Sequence, residues 1–138
     1  MQSIIFLGLS LNQLEYIQAA KNLGFHIIGF DGNFNAECRN LCDVSFTEKI
    51  NNHETIINIL KNYDNLIGCV SEQTDNGLIT LGEINSFFNL CGPSLETVRL
   101  IKDKSLQRVK SQELNINQPE FISYNLSNNF LDKDNKEF

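Results

Sequence analysis

The sequence has no apolar run approaching the roughly 20 residues of a membrane span. Its opening, MQSIIFLGLSLNQ, lacks the basic flank of a secretory signal. Positive charge is scarce: 11 lysines and arginines against 17 acids leave a formal charge of −6. That balance argues against a protein that binds the phosphate backbone of nucleic acid. Metal-binding and cross-linking residues are equally few, with four cysteines and two histidines. Cys38 and Cys42 stand four apart, while Cys69 and Cys91 sit singly beside apolar residues. This spacing is neither a paired CxxC zinc pattern nor the dense cysteine framework of a small secreted domain. With His26 and His53 as the only imidazoles, a zinc site would need a coincidence in three dimensions. The expectations are free, mostly buried thiols and no metal site, in a cytoplasmic protein that binds neither membrane nor nucleic acid.

What is present fits an ordinary folded chain. At 138 residues, 41% hydrophobic and 20% charged, it is long enough for one self-sufficient domain without staples. There is no internal repeat and no low-complexity tract. Ser3–Leu9 and His26–Phe30 are nearly continuous apolar runs, as strands covered on both faces should be. Between them Asn12 can cap a helix from Gln13 to about Leu23, whose Tyr16, Ala19, Ala20 and Leu23 form one stripe. Gly24 sits where a helix end calls for a positive φ.

Asp43–Phe46 reads as a short third strand. A helix follows from Asn51 or Asn52 through Asn62, with Ile56, Ile59, Leu60 and Tyr63 on one face. Leu66–Val70 is the next buried strand, and a third helix runs from Leu78 to about Asn89 with Leu81, Ile84 and Phe88 inward. Ser94 and Thr97 open a last helical region, which breaks near 102–104 and resumes to Leu114. His26, inside a strand run, reads as a core or edge residue, and His53 as solvent-exposed. The tail from Asn125 onward is polar, with too little apolar surface to offset its ordering entropy.

Alternating strands and helices at this spacing imply right-handed crossovers and a small doubly wound α/β fold: a Rossmann-like parallel sheet with helices on both faces. Ligands of such sheets bind beyond the carboxyl ends of the strands, near the switch in strand order. That rule nominates three loops: Gly8–Gln13, Asp31–Asn35 and Ser71–Gly77. The first joins a strand to a helix N-terminus, where free N–H groups favour an anion. It has one glycine, not GxGxxG, so it reads equally as a plain turn. Asp31 closes the second strand, where dinucleotide folds hold a ribose, or it is a solvated turn residue. Glu72, Thr74 and Asp75 suit an amine, a hydroxyl or Mg²⁺, or simply cap the next helix. Lys102, Lys104 and Arg108 read as a solvated helix face or as point charges for a nucleotide phosphate.

These segments together resemble the N-terminal, or pre-ATP-grasp, domain of ATP-grasp ligases, with the carbamoyl-phosphate-synthase-like carboxylate–amine ligases looking nearest. The resemblance covers roughly residues 3 to 121. It is carried by IIFLGLSLNQLEYIQAAKNLGFHIIGFD, AECRNLCDVSF and GCVSEQTDNG, and most specifically by LCGPSLETVRLIKDKSLQRVKSQELNINQPEF. There Asp103-Lys104, Arg108 and the stretch Asn115–Pro119 stand where the family has an Asp-Lys pair, an arginine four residues on and a G-I-P-x-P ending. Asn115 and Asn117 replace the usual Gly and Pro.

The resemblance implies that Lys104 contacts ATP phosphate. It also implies that Gly8, Ser10, Asn12 and Gln13 face the acceptor substrate, with Asp31, Glu72, Thr74 and Asp75 shaping its pocket. It makes residues 1–121 one domain and 122–138 a mobile tail. ATP and Mg²⁺ are the implied cofactors of the full-length enzyme, which activates a carboxylate as an acylphosphate for attack by an amine. The V-K-P lysine and the downstream Mg²⁺ ligands of the ATP-grasp subdomains do not occur in these 138 residues. This chain alone is therefore expected to be inactive, and to need those domains, a complementary chain or self-association through exposed apolar surface. One alternative is a stand-alone Rossmann-like module holding a nucleotide or anion. Another is a receiver-like domain, for which Leu9-Ser10-Leu11 lacks the acids.

Overall fold

A computed structural model describes residues 1–122; the expectation for the tail lies outside the described residues. Four strands form one parallel sheet: β1 (Ser3–Leu7), β2 (His26–Asp31), β3 (Val44–Thr47) and β4 (Leu66–Val70). Their order is β3-β2-β1-β4. Five helices accompany them: α1 (Leu14–Asn22), α2 (His53–Leu60), α3 (Leu78–Phe88), α4 (Leu95–Lys102) and α5 (Lys104–Glu113). The doubly wound α/β reading holds, because both sheet faces are covered.

The near-continuous strand hydrophobicity follows from that double cover. Side chains alternate between faces along a strand. Ile5, Leu7, Ile28 and Phe30 therefore pack with Ile56 and Leu60 of α2, Leu81 and Ile84 of α3 and Val98 of α4. Phe6 and Ile27 point the other way, to Ile17 and Ala20 of α1 and to Leu9, Ala36 and Cys38. Gly29 in β2 is a packing glycine: a Cβ there would lie 2.6 Å from Cys42 Sγ and 2.8 Å from Leu9 Cδ2.

Several local expectations are corrected. The first helical turn is a 3₁₀ turn over Leu11–Gln13 that begins after Ser10, so Asn12 is exposed within it rather than capping. The buried stripe of α1 is Ile17 and Ala20; Tyr16 is 42% and Leu23 74% exposed. The sheet takes the β-branched Ile17, while Tyr16, one position earlier, points to solvent. Likewise Ile57 joins Ile56 and Leu60 as the buried side of α2, with Ile59 and Tyr63 only partly covered. α2 is shorter than expected at its C-terminus, and His53 is half-buried. β3 begins at Val44, because Asp43 is occupied in receiving the Ile27 N–H on Oδ2 at 2.8 Å.

Other expectations hold in detail. Gly24 has φ +81 and closes α1, with Phe25 N donating to Ala20 O and Gly24 N to Lys21 O in a Schellman arrangement. Ser94 Oγ accepts from Thr97 N at the start of α4. The break falls at Asp103, whose Oδ1 accepts from Ser105 N and Leu106 N to cap α5. All four cysteines are free thiols as expected, but the expectation that they are mostly buried is corrected: only Cys38 is buried, Cys42 and Cys69 are half-buried and Cys91 is exposed. No helix among the described residues is long and apolar enough to cross a membrane.

The resemblance implies one domain over residues 1–121 that includes the linking helices of 94–114. The chain divides into two compact units, Met1–Lys102 and Asp103 onward. The first holds the sheet and α1–α4; the second is α5, which buries none of its side chains, with the segment that follows it.

Candidate functional site

The strand order determines where a site can form. The chain steps from β1 outward to β2 and β3, then crosses back to place β4 on the other side of β1. The switch in direction therefore lies between β1 and β4, and the loops beyond their carboxyl ends flank the crevice where α/β sheets bind ligands. These are two of the three loops nominated from the sequence.

The loop after β1 is held from both sides. Gly8, at φ +104, ends the strand while its N–H still donates to Phe30 O at 2.8 Å. Leu9 N donates to Asp31 Oδ2 at 2.7 Å, and Asn33 N to Asp31 Oδ1 at 2.7 Å. Both carboxylate oxygens of Asp31 thus receive backbone N–H groups. The Asp31–Asn35 loop is braced by Arg39, whose Nη2 donates to Asp31 O and Asn33 O. Cys38 closes it onto the first loop, its N donating to Leu9 O at 2.8 Å and its Sγ to Ser10 O at 3.1 Å. Burial pushes the Cys38 thiol above its ordinary range, with the neighbouring Glu37 carboxylate adding to the effect.

Gln13 is only 3% exposed. Its Oε1 accepts from Ser10 N at 3.0 Å and Ser10 Oγ at 2.6 Å, and its Nε2 donates to Glu72 O at 2.7 Å. The Ser10-x-x-Gln13 spacing is a capping-box pattern, and it makes Ser10 rather than Asn12 the residue that opens this turn.

The loop after β4 surrounds an open pocket of about 670 Å³ lined by Ser71, Glu72, Thr74, Asp75 and Asn76, among others. Glu72 and Asp75 are exposed and Thr74 half-buried. Thr74 Oγ1 accepts from Asn76 N at 3.3 Å, capping a 3₁₀ turn over Asp75–Gly77 that leads into α3. Gln73 stands at φ +54. Lys102 Nζ, read from the sequence as a solvated charge, reaches back to Asp75 O at 3.1 Å. Ser71 is 9% exposed and its Oγ has no hydrogen-bond partner among the described residues, facing Gly77, where a Cβ would come within 2.3 Å of it. No spacing rule points to such a hydroxyl. Two carboxylates, a half-buried hydroxyl and a buried unpaired one can hold a ligand carrying amine or hydroxyl groups.

The residues singled out from the sequence therefore fall as follows. Gly8, Ser10, Asn12, Gln13, Asp31, Glu72, Thr74 and Asp75 all lie in the first unit, Asp31 at the last position of β2 and the others in the loops and 3₁₀ turns that follow β1 and β4. Lys104 belongs to the second unit, exposed at the first position of α5. Among the described residues, no three His, Cys, Asp or Glu side chains come together to hold a metal ion.

No family model and no curated protein matches the sequence. Solved structures do. The chain is similar to phosphoribosylglycinamide synthetase from Anaerococcus prevotii, at 29% identity and a TM-score of 0.74, over 83% of this chain and 29% of that one. It is similar to N5-carboxyaminoimidazole ribonucleotide synthetase from Thermotoga maritima, at 21% identity and a TM-score of 0.70, over 87% and 32%. N5-carboxyaminoimidazole synthetase from Staphylococcus aureus, solved with ADP, matches at 14% identity and a TM-score of 0.65, over 81% and 30%. The chain thus spans about 30% of the length of the structures it matches. These are ATP-grasp ligases, and the resemblance to their pre-ATP-grasp domain is borne out.

Proposed function

We propose that this chain, which has the pre-ATP-grasp fold, serves as the N-terminal domain of an ATP-dependent carboxylate–amine ligase. Its part is to supply acceptor-substrate contacts and one contact to ATP. The observation that carries the proposal is the match to phosphoribosylglycinamide synthetase, 29% identical over 83% of the chain. The switch-point pocket supports it, because a ligand with amine or hydroxyl groups suits Glu72, Thr74 and Asp75. In this reading Gly8, Ser10 and Asn12 lie along the same crevice, with Asp31 bracing it from the next loop. The carbamoyl-phosphate-synthase-like branch of the family and a cytoplasmic location belong to the same proposal.

ATP and Mg²⁺ are the cofactors this reading implies. Lys104 fits a phosphate as a point charge: it is exposed at the N-terminus of α5, where the helix dipole also favours an anion. Mg²⁺ has no set of ligands among the described residues, so no step through the metal is assigned to this chain. Phosphoryl transfer depends on metal and cationic groups placed around the β- and γ-phosphates. The chain is accordingly inactive alone in this proposal and works with ATP-grasp domains, carried on further chain or on a partner. Exposed apolar residues, including Leu11 and Phe34 in the first unit and Leu106 and Leu114 in the second, are surface for those domains or for a second copy to cover.

The test is calorimetric titration of the purified chain with MgATP, with Lys104→Ala as the control. No binding at about millimolar nucleotide, together with ADP formation once ATP-grasp domains are added in trans, supports the proposal. Tight binding by the chain alone, lost in Lys104→Ala, would instead favour a self-contained nucleotide-binding module.

A further inference from the structure

The two loops at the switch point are tied by one side chain. Gln13 spends its amide inside the protein, with Oε1 taking both hydrogens offered by Ser10 and Nε2 giving one to Glu72 O. That carbonyl belongs to the peptide joining Glu72 to Gln73, and Gln73 stands at φ +54, a conformation L side chains rarely adopt. Such a residue persists only where its surroundings hold it. The bond from Gln13 fixes the plane of that peptide, and so the direction from which Glu72 and the following residues project into the pocket. We propose that Gln13 is a positioning residue that sets the pocket after β4 in register with the loop after β1.

The chemistry demands an amide at this position. An ionised carboxylate could accept from Ser10 but would repel the Glu72 carbonyl, while a cationic side chain could donate to Glu72 and not accept from Ser10. Asparagine is one methylene shorter. The inference rests on reading this pocket as a substrate site for its functional meaning, but the clamp itself is measurable with no ligand present.

The test uses the whole chain and backbone NMR. In Gln13→Glu at neutral pH, amides of residues 72–77 shift and exchange with solvent about 3- to 10-fold faster, the range for losing one hydrogen bond. Amides of β2 keep their parent rates. When acid protonates the substituted carboxyl it regains a donor, and the loop amides return toward their parent positions, beyond whatever Glu72 and Asp75 themselves contribute in the parent. Gln13→Met, of similar length and without polar atoms, shows the same loop opening with no return on acidification. It also carries the comparison if the charged variant fails to fold. Loop amides that exchange as in the parent in both variants, or variants that respond alike at every pH, would overturn the assignment. Because no nucleotide or substrate enters these measurements, that result would leave the MgATP test standing.

Discussion

At Gly29 the space for a side chain is already taken by Cys42 and Leu9. Gly29→Ala should therefore lower unfolding stability by about 1–3 kcal/mol, the usual cost of overpacking, as read from urea denaturation midpoints. Gly68→Ala on β4, where a Cβ meets nothing within 4 Å, should leave the midpoint nearly unchanged. The thiol of Cys42 makes a second prediction. Burial, aided by the Cys38 thiol, pushes it up to about 11 from an ordinary 9.0. A group whose folded pKa is raised gives stability that is whole below pH 9 and lost as pH rises through 11. Unfolding free energy should fall across that window, and less steeply in Cys42→Ala. Exposed Cys91 should react with a thiol reagent well before the other three. The capping box of Ser10 and Gln13 could be read from spacing; the bond from Gln13 to Glu72 could not, because no local pattern marks a partner on another loop.

Among the elements, the contact of α3 with α4 leaves no room for one added carbon at its glycine. A Cβ on Gly82 would lie 2.8 Å from Leu95 Cα and 3.1 Å from Val98 Cγ2. The first of these is backbone and cannot rotate away. Gly82→Ala should displace α4, costing about 1–3 kcal/mol and exposing Val98, measurable as faster amide exchange through 95–102. Loss of α4's seat would also free Lys102 from Asp75 O, so the pocket loop should loosen with it. Strands and helices were legible from hydrophobic period, because a sheet buried on both faces writes continuous apolar runs. The phase within α1 was not: Leu23 is as apolar by type as Ile17, yet it is 74% exposed while Ile17 is buried, and packing against the sheet selects between them.

For the whole molecule, the fold class followed from the order of elements, and the position of the site from the switch in strand order. The division after Lys102 was legible only as a break in the last helical region near 102–104, because a helix interruption and a boundary between compact units look alike in hydrophobic period. The apolar residues left uncovered lead to a prediction on this scale. Sedimentation of the chain alone should show concentration-dependent self-association, weakened in a Leu106→Gln, Leu114→Gln double variant. A strict monomer at all concentrations would argue against association through that surface.

The sheet order also bears on how the chain comes to be folded. β1 is one of two interior strands, yet it precedes both strands it pairs with: Ser3 lies beside His26 and Leu66. As the polypeptide emerges from the ribosome, this apolar segment waits with one edge open until β4 follows, and such distant pairings make folding slow. The interval in which Ile4, Ile5, Phe6 and Leu7 lack a second neighbour is when a nascent chain is most exposed to aggregation or to capture by a chaperone.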